Sequence, residues 1–95
     1  MVTGSAPISI DVINFLKVCF CCPILEGYGQ TESCAASCIS LPGDATAGHV
    51  GGPLPCLKLR LSDVPDMNYH ATDRPNPRGE ICFSGPAVFK GYFKD

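Results

Sequence analysis

Six consecutive residues, Gly27-Tyr28-Gly29-Gln30-Thr31-Glu32, bring together chemistry that a short loop rarely holds. The two glycines let backbone N–H groups come close to a ligand. Tyr28 offers a flat face for stacking. Thr31 supplies a hydroxyl, and Glu32 a hard anionic oxygen of the kind that suits Mg²⁺. Together they are the parts of a nucleotide site. Singly, each has a plainer reading: Glu32 as a surface carboxylate, Tyr28 as packing, Thr31 as a helix cap.

The elements around this stretch decide where it sits. Ile24–Glu26 reads as a short strand that exits into it, and Met1-Val2-Thr3 as the tail of another strand. Between them Gly4-Ser5-Ala6-Pro7 is a turn of small residues. Ser9 is placed as an N-cap, with Asp11 in the first turn and Ile8 and Ile13 set for a hydrophobic staple. The spacing predicts a helix over Ile10–Cys19, ending before Pro23. Its stripe Val12, Phe15, Leu16 and Cys19 is expected to face the core, with Asp11, Asn14 and Lys17 opposite. Strand, crossover helix and strand make a parallel α/β unit. Gly4-Ser5-Ala6 and Gly27-Tyr28-Gly29 then share the carboxyl edge of neighbouring strands, where open α/β sheets bind ligands.

The second half has a different character. Cys34–Leu41 is a short helix or strand, Pro42-Gly43-Asp44 a turn, and Gly48-His49-Val50-Gly51-Gly52-Pro53 a loop with tight backbone geometry. Cys56–Leu61 alternates apolar and polar residues, as a half-buried antiparallel strand does. Val64–Arg78 is a proline-rich excursion, Glu80–Ser84 a second strand, and Val88–Tyr92 a short apolar segment. The expected fold class is therefore α/β: a parallel α/β part over 1–47, then an antiparallel, β-rich part over 48–95. Both ends read as cut, as in a fragment of a larger protein.

Composition narrows the function classes. Ninety-five residues with 45% hydrophobic and 17% charged content describe one small globular unit. A net charge of −2 gives no electrostatic reason to expect nucleic acid or an anionic membrane as partner. The apolar run Phe15–Leu25 is broken by Lys17 and Pro23 and is too short to span a bilayer. No basic segment follows Met1, so no secretory signal is read. Seven cysteines, an odd number without paired C-x-x-C motifs, read as reduced structural thiols of an intracellular chain, Cys21 and Cys22 as buried ones. A cysteine-rich metal module is the competing class. His49 and His70 read as structural or solvated, Glu26 as a hydrogen-bonded structural carboxylate, and Lys90 and Lys94 as a solvated face.

Four segments carry a resemblance. They are Gly4-Ser5-Ala6-Pro7-Ile8-Ser9; Glu26-Gly27-Tyr28-Gly29-Gln30-Thr31-Glu32-Ser33; Gly48-His49-Val50-Gly51-Gly52-Pro53-Leu54-Pro55; and Gly79-Glu80-Ile81-Cys82 with Gly85-Pro86 and Gly91-Tyr92-Phe93-Lys94-Asp95. In order and spacing the chain resembles the acyl-adenylate-forming superfamily. Asp63–Tyr69 and the ending Phe89–Asp95 resemble its long-chain fatty acyl-CoA synthetases. The resemblance implies part of the AMP-binding, N-terminal domain of a ligase that uses ATP, Mg²⁺ and CoA and takes a fatty acid through acyl-AMP to acyl-CoA. It implies that Glu32 is the Mg²⁺-associated glutamate and that Thr31 bonds the α-phosphate; these two are the catalytic pair. Tyr28 would stack on adenine between the close-approach backbones of Gly27 and Gly29. Gly4, Ser5 and Ala6 would form the small turn between adenine and acyl group, with Gln30 near the acyl carbonyl. It also implies a lysine-bearing phosphate loop, a Thr-Gly-Asp aspartate for the ribose and a C-terminal domain, all outside these residues. The 95 residues alone are therefore expected to be inactive. The parent would lie inside the cell, on the endoplasmic reticulum, the mitochondrial outer membrane or the peroxisome, facing the cytosol. The alternative is a non-catalytic truncated product or interaction fragment.

Overall fold

Ser9 starts the one α-helix among the described residues. Its backbone is extended, and its Oγ accepts from the Val12 N–H at 3.3 Å. Helix α1 (Ile10–Phe20) ends one residue past the expected Cys19, at Cys21 in the left-handed conformation, whose N–H bonds the Val18 carbonyl. The helix carries the chain back so that β1 (Val2–Thr3) and β2 (Leu25–Tyr28) run parallel, Val2 opposite Leu25 and Thr3 opposite Glu26. In the computed structural model, which describes residues 1–94, this is the predicted β–α–β unit.

The sheet continues on the other side of β2. Strand β3 (Cys38–Ile39) pairs antiparallel with β2, and β4 (Gly52–Pro53) pairs antiparallel with β3, giving the order β1-β2-β3-β4. Cys34–Leu41 thus resolves into a strand. Strands β5 (Lys58–Ser62) and β6 (Glu80–Ser84) form a separate antiparallel ribbon, as expected for this pair. The half-buried alternation is not seen: Leu59 is exposed along with Lys58 and Arg60, because no second layer covers this ribbon's face there. The division between the two sheets falls between Pro53 and Lys58. The excursion between β5 and β6 is tied by an Asp73–Arg78 ion pair at 2.9 Å and by Arg78 lying over the Tyr69 ring. Asp73 is held below the usual carboxylate range by the His70 N–H first and by Arg78. Among the described residues no helix is long and apolar enough to cross a membrane.

Two expectations about packing fail. The helix stripe does not face the core: Phe15 is 65% exposed, Val12 and Cys19 are exposed, and the buried residue is Ile13, with Leu16 and Lys17 half-buried. The reason lies in composition. Helix α1 is apolar on nearly every side, and a single sheet can cover only one of them. Lys17, expected opposite the core, instead brings Nζ to the Asp44 and Thr46 carbonyls at 3.5 and 3.4 Å. The cysteines are free, but only Cys38 is buried; Cys21 is exposed and Cys22 half-buried. The left-handed turn that ends α1 directs the chain outward there.

The buried apolar core is Ile13, Ile24, Cys38 and Leu57. The chain exposes 7066 Å², against about 5,300 Å² for a compact monomer of its mass. Its radius of gyration is 15.4 Å, against about 12.4 Å for a compact chain of this length.

Candidate functional site

Because β1 and β2 are parallel, the turns after them open on the same edge of the sheet. Gly4 and Gly27 touch there: a Cβ on Gly4 would sit 3.0 Å from the Gly27 carbonyl oxygen. Ser5 follows with φ +71°, a left-handed backbone uncommon for a side chain and one that clusters at functional turns. A cleft of about 250 Å³ is lined by Ser5, Ala6, Pro7, Glu26, Tyr28 and Val50, with Gly27 and Gly29 in its wall. A second cleft, about 270 Å³, lies across the Gly27–Gly29 backbone and is lined by small and apolar residues including Gly4, Ala35, Ala36 and Ile39. Ser5 and Gly29 border both, and with Gln30, Thr31 and Ala35 they line a third opening. The two turns singled out in the sequence therefore meet in one place.

The loop after β2 is built by buried serines. Ser33 Oγ accepts from the Gln30 N–H at 3.2 Å and donates back to the Gln30 carbonyl at 3.1 Å. Ser37, fully buried, donates to Ser33 Oγ at 2.6 Å. These bonds hold a single 3-10 turn, Thr31–Ser33, at the mouth of the clefts. Cys34 and Ala35 follow in left-handed conformation, and the Ala35 N–H returns to the Gln30 carbonyl at 3.2 Å. Thr31 is exposed to the third opening. Glu32 stands on the same turn, and its carboxylate accepts a hydrogen bond from the Tyr92 hydroxyl. That bond, then its own backbone N–H, holds the Glu32 carboxyl below its ordinary value and raises Tyr92.

Two residues of the site lay outside the sequence-based set. Glu26 was read as a satisfied structural carboxylate. It is buried, but its Oε2 has no hydrogen-bond partner, and the residue lines the first cleft. A carboxylate at the end of an apolar strand, directly before the glycines, is the signal that marks it. Tyr92 sits 60 residues from Glu32, and nothing local in the sequence joins the two. His49 lies beside the site in a small network: Nε2 is 2.7 Å from Thr46 Oγ1 and 3.2 Å from Asp44 Oδ2, and Nδ1 accepts from the Gly51 N–H at 3.1 Å. That is the structural role expected of it. No group of three metal-ligating side chains occurs among the described residues.

The fold is that of part of an adenylation domain. The adenylation domain of a carboxylic acid reductase from Segniliparus rugosus, solved with AMP and a co-purified carboxylic acid, superposes with a TM-score of 0.73 at 29% identity, over 98% of this chain and 13% of that one. The chain belongs to the AMP-binding enzyme family, whose profile matches residues 1–93. It is 53% identical over 95 residues to the Homo sapiens long-chain-fatty-acid–CoA ligase 1. It is equally 53% identical over 96 residues to the peroxisomal long chain acyl-CoA synthetase 7 of Arabidopsis thaliana. In both cases all of this chain is matched, and it spans 13–14% of the relative's length.

Proposed function

We propose that this chain forms one wall of the active site of a long-chain fatty acid–CoA ligase. In such a ligase a fatty acid carboxylate oxygen attacks the α-phosphorus of ATP and pyrophosphate leaves. The CoA thiol then attacks the acyl carbon of the acyl-AMP, AMP leaves and the thiol proton is released. The observation that carries the reading is the first cleft. It is apolar, with Tyr28 and the backbones of Gly27 and Gly29 in its wall and Glu26 beside them. An adenine lying in it would meet the Tyr28 face, whose ring is partly exposed. The second cleft, across the glycine wall, suits the acyl side, with Gln30 near the carbonyl. Gly4, Ser5 and Ala6 keep the passage between the two free of bulk.

Thr31 lines the shared opening, where its hydroxyl would donate to the α-phosphate. Glu32 is the cation ligand. A lone carboxylate is too little for an all-protein cage, but it fits Mg²⁺, which takes one or two carboxylates and completes its shell with phosphates and water. When bound, Mg²⁺ neutralises the phosphate charge that would otherwise repel the fatty acid carboxylate. The peroxisomal label of one relative supports a place inside the cell.

The test uses a chimera in which these 95 residues replace the matching segment of the human ligase. Fatty-acid-dependent exchange of pyrophosphate into ATP is expected to stay within about tenfold of the parent. A folded chimera without exchange refutes the ligase reading. The thin core and large exposed surface support a second statement, that the wall does not suffice alone. The isolated chain is expected to bind ATP no better than millimolar by calorimetry, and micromolar binding would show that the other walls are dispensable.

A further inference from the structure

The segment that follows β6 holds Glu32 at two points. Its Phe89 N–H donates to the Glu32 backbone carbonyl at 2.9 Å, and its Tyr92 hydroxyl donates to Glu32 Oε1. The rings of Phe89 and Tyr92 meet edge to face, 4.8 Å between centroids and 89° between planes. We propose that Tyr92 is a positioning residue: its hydroxyl fixes the Glu32 carboxylate in the orientation that receives the divalent cation brought by the nucleotide. The proposal rests on the reading of Glu32 as cation ligand.

Three rotatable bonds separate the Glu32 carboxylate from its backbone, and freezing such a side chain costs rotamer entropy. Tyr92 meets that cost before the cation arrives. Its ring meets Phe89 edge to face, and two side-chain torsions place its hydroxyl, fewer than a longer flexible donor would need. A phenol donates one hydrogen, here to Oε1, and Oε2 stays available to a cation. Outer partners of metal-ligating carboxylates typically change metal affinity 10–100-fold when removed. The competing role is simple fastening of the segment to the site. The Phe89 main-chain bond and the ring contact already provide it, and neither needs the Tyr92 hydroxyl.

The hydroxyl can therefore be tested apart from the ring, in the full-length chimera loaded with a non-hydrolysable ATP analogue. Bound Mn²⁺ is read by electron paramagnetic resonance, and folding by the thermal midpoint. Tyr92→Phe is expected to weaken Mn²⁺ uptake about tenfold at an unchanged thermal midpoint and unchanged metal-free nucleotide affinity. Its exchange rate should recover as Mg²⁺ is raised. Tyr92→Leu should show the same loss of Mn²⁺ together with a lower thermal midpoint. If Tyr92→Phe binds Mn²⁺ as the parent chimera does while Glu32→Gln does not, the positioning role is refuted and the cation role of Glu32 stands. If Glu32→Gln also binds Mn²⁺ normally, both are refuted.

Discussion

Gly29→Ala is expected to destabilise the domain by about 3 kcal/mol or more, at the upper end of what overpacking costs, and to abolish exchange. A Cβ on Gly29 would overlap the Ala35 carbonyl oxygen and would come within 2.6 Å of the Ala35 carbonyl carbon and 2.9 Å of Ala36 Cα. These are backbone atoms, so no rotamer change relieves the clash. Ala35 is not free to move either. It is left-handed at φ +82°, tied back to the Gln30 carbonyl, and it follows a turn pinned by Ser33 and Ser37. Whichever strand of the loop yields, the wall between the two clefts is displaced, and Thr31 and Glu32 move with it. Gly52→Ala is the control. Nothing lies within 4 Å of its added Cβ, and the change should be neutral or raise the thermal midpoint slightly, through reduced unfolded-state entropy. A Gly29→Ala chimera with the parent's thermal midpoint and exchange rate would mean that the close approach constrains nothing.

What the sequence made legible was local or periodic. Ser9 announced the helix start, the small turns announced the edge where the clefts open, and the pattern of Cys56–Leu61 announced a strand of the ribbon. Each signal is confined to a few neighbouring residues, and so it survives whatever the rest of the fold does. The helix face was misread because periodicity shows that α1 is apolar but not which apolar side meets the sheet. With Ile10, Val12, Ile13, Phe15, Leu16 and Val18 all present, choosing Ile13 takes knowledge of what lies beneath. Glu26 was placed correctly inside but given partners it lacks, because burial follows from strand position and hydrogen bonding does not. The Tyr92–Glu32 contact was beyond reach in principle. It depends on how an excursion and two ribbon strands return the chain to the site, and no short-range pattern encodes that closure.

Glu32→Gln separates chemistry from folding more cleanly than any other change in the site. The amide has the size of the carboxylate and keeps an oxygen that can accept from Tyr92, so the segment after β6 stays docked through that bond and through the Phe89 N–H. The side chain is only half-buried, and the thermal midpoint of the chimera should therefore not change. What disappears is the negative charge on the turn that carries Thr31. Nothing among the described residues replaces it, since no cluster of metal-ligating groups lies near to share the load. If Glu32 holds the cation that neutralises the reacting phosphates, the loss falls on the transition state more than on nucleotide binding. The adenylation half-reaction should then drop about 10²–10³-fold in kcat, the range seen when one preorganised electrostatic contact is removed. Binding of metal-free ATP should stay within about twofold, and raising Mg²⁺ should restore little, in contrast to Tyr92→Phe, where the ligand is still present and only its orientation is lost. Exchange kinetics at several Mg²⁺ concentrations, with the thermal midpoint measured alongside, read both effects. A Glu32→Gln chimera that exchanges at the parent rate would remove Glu32 from the reaction and leave the cleft a binding surface only.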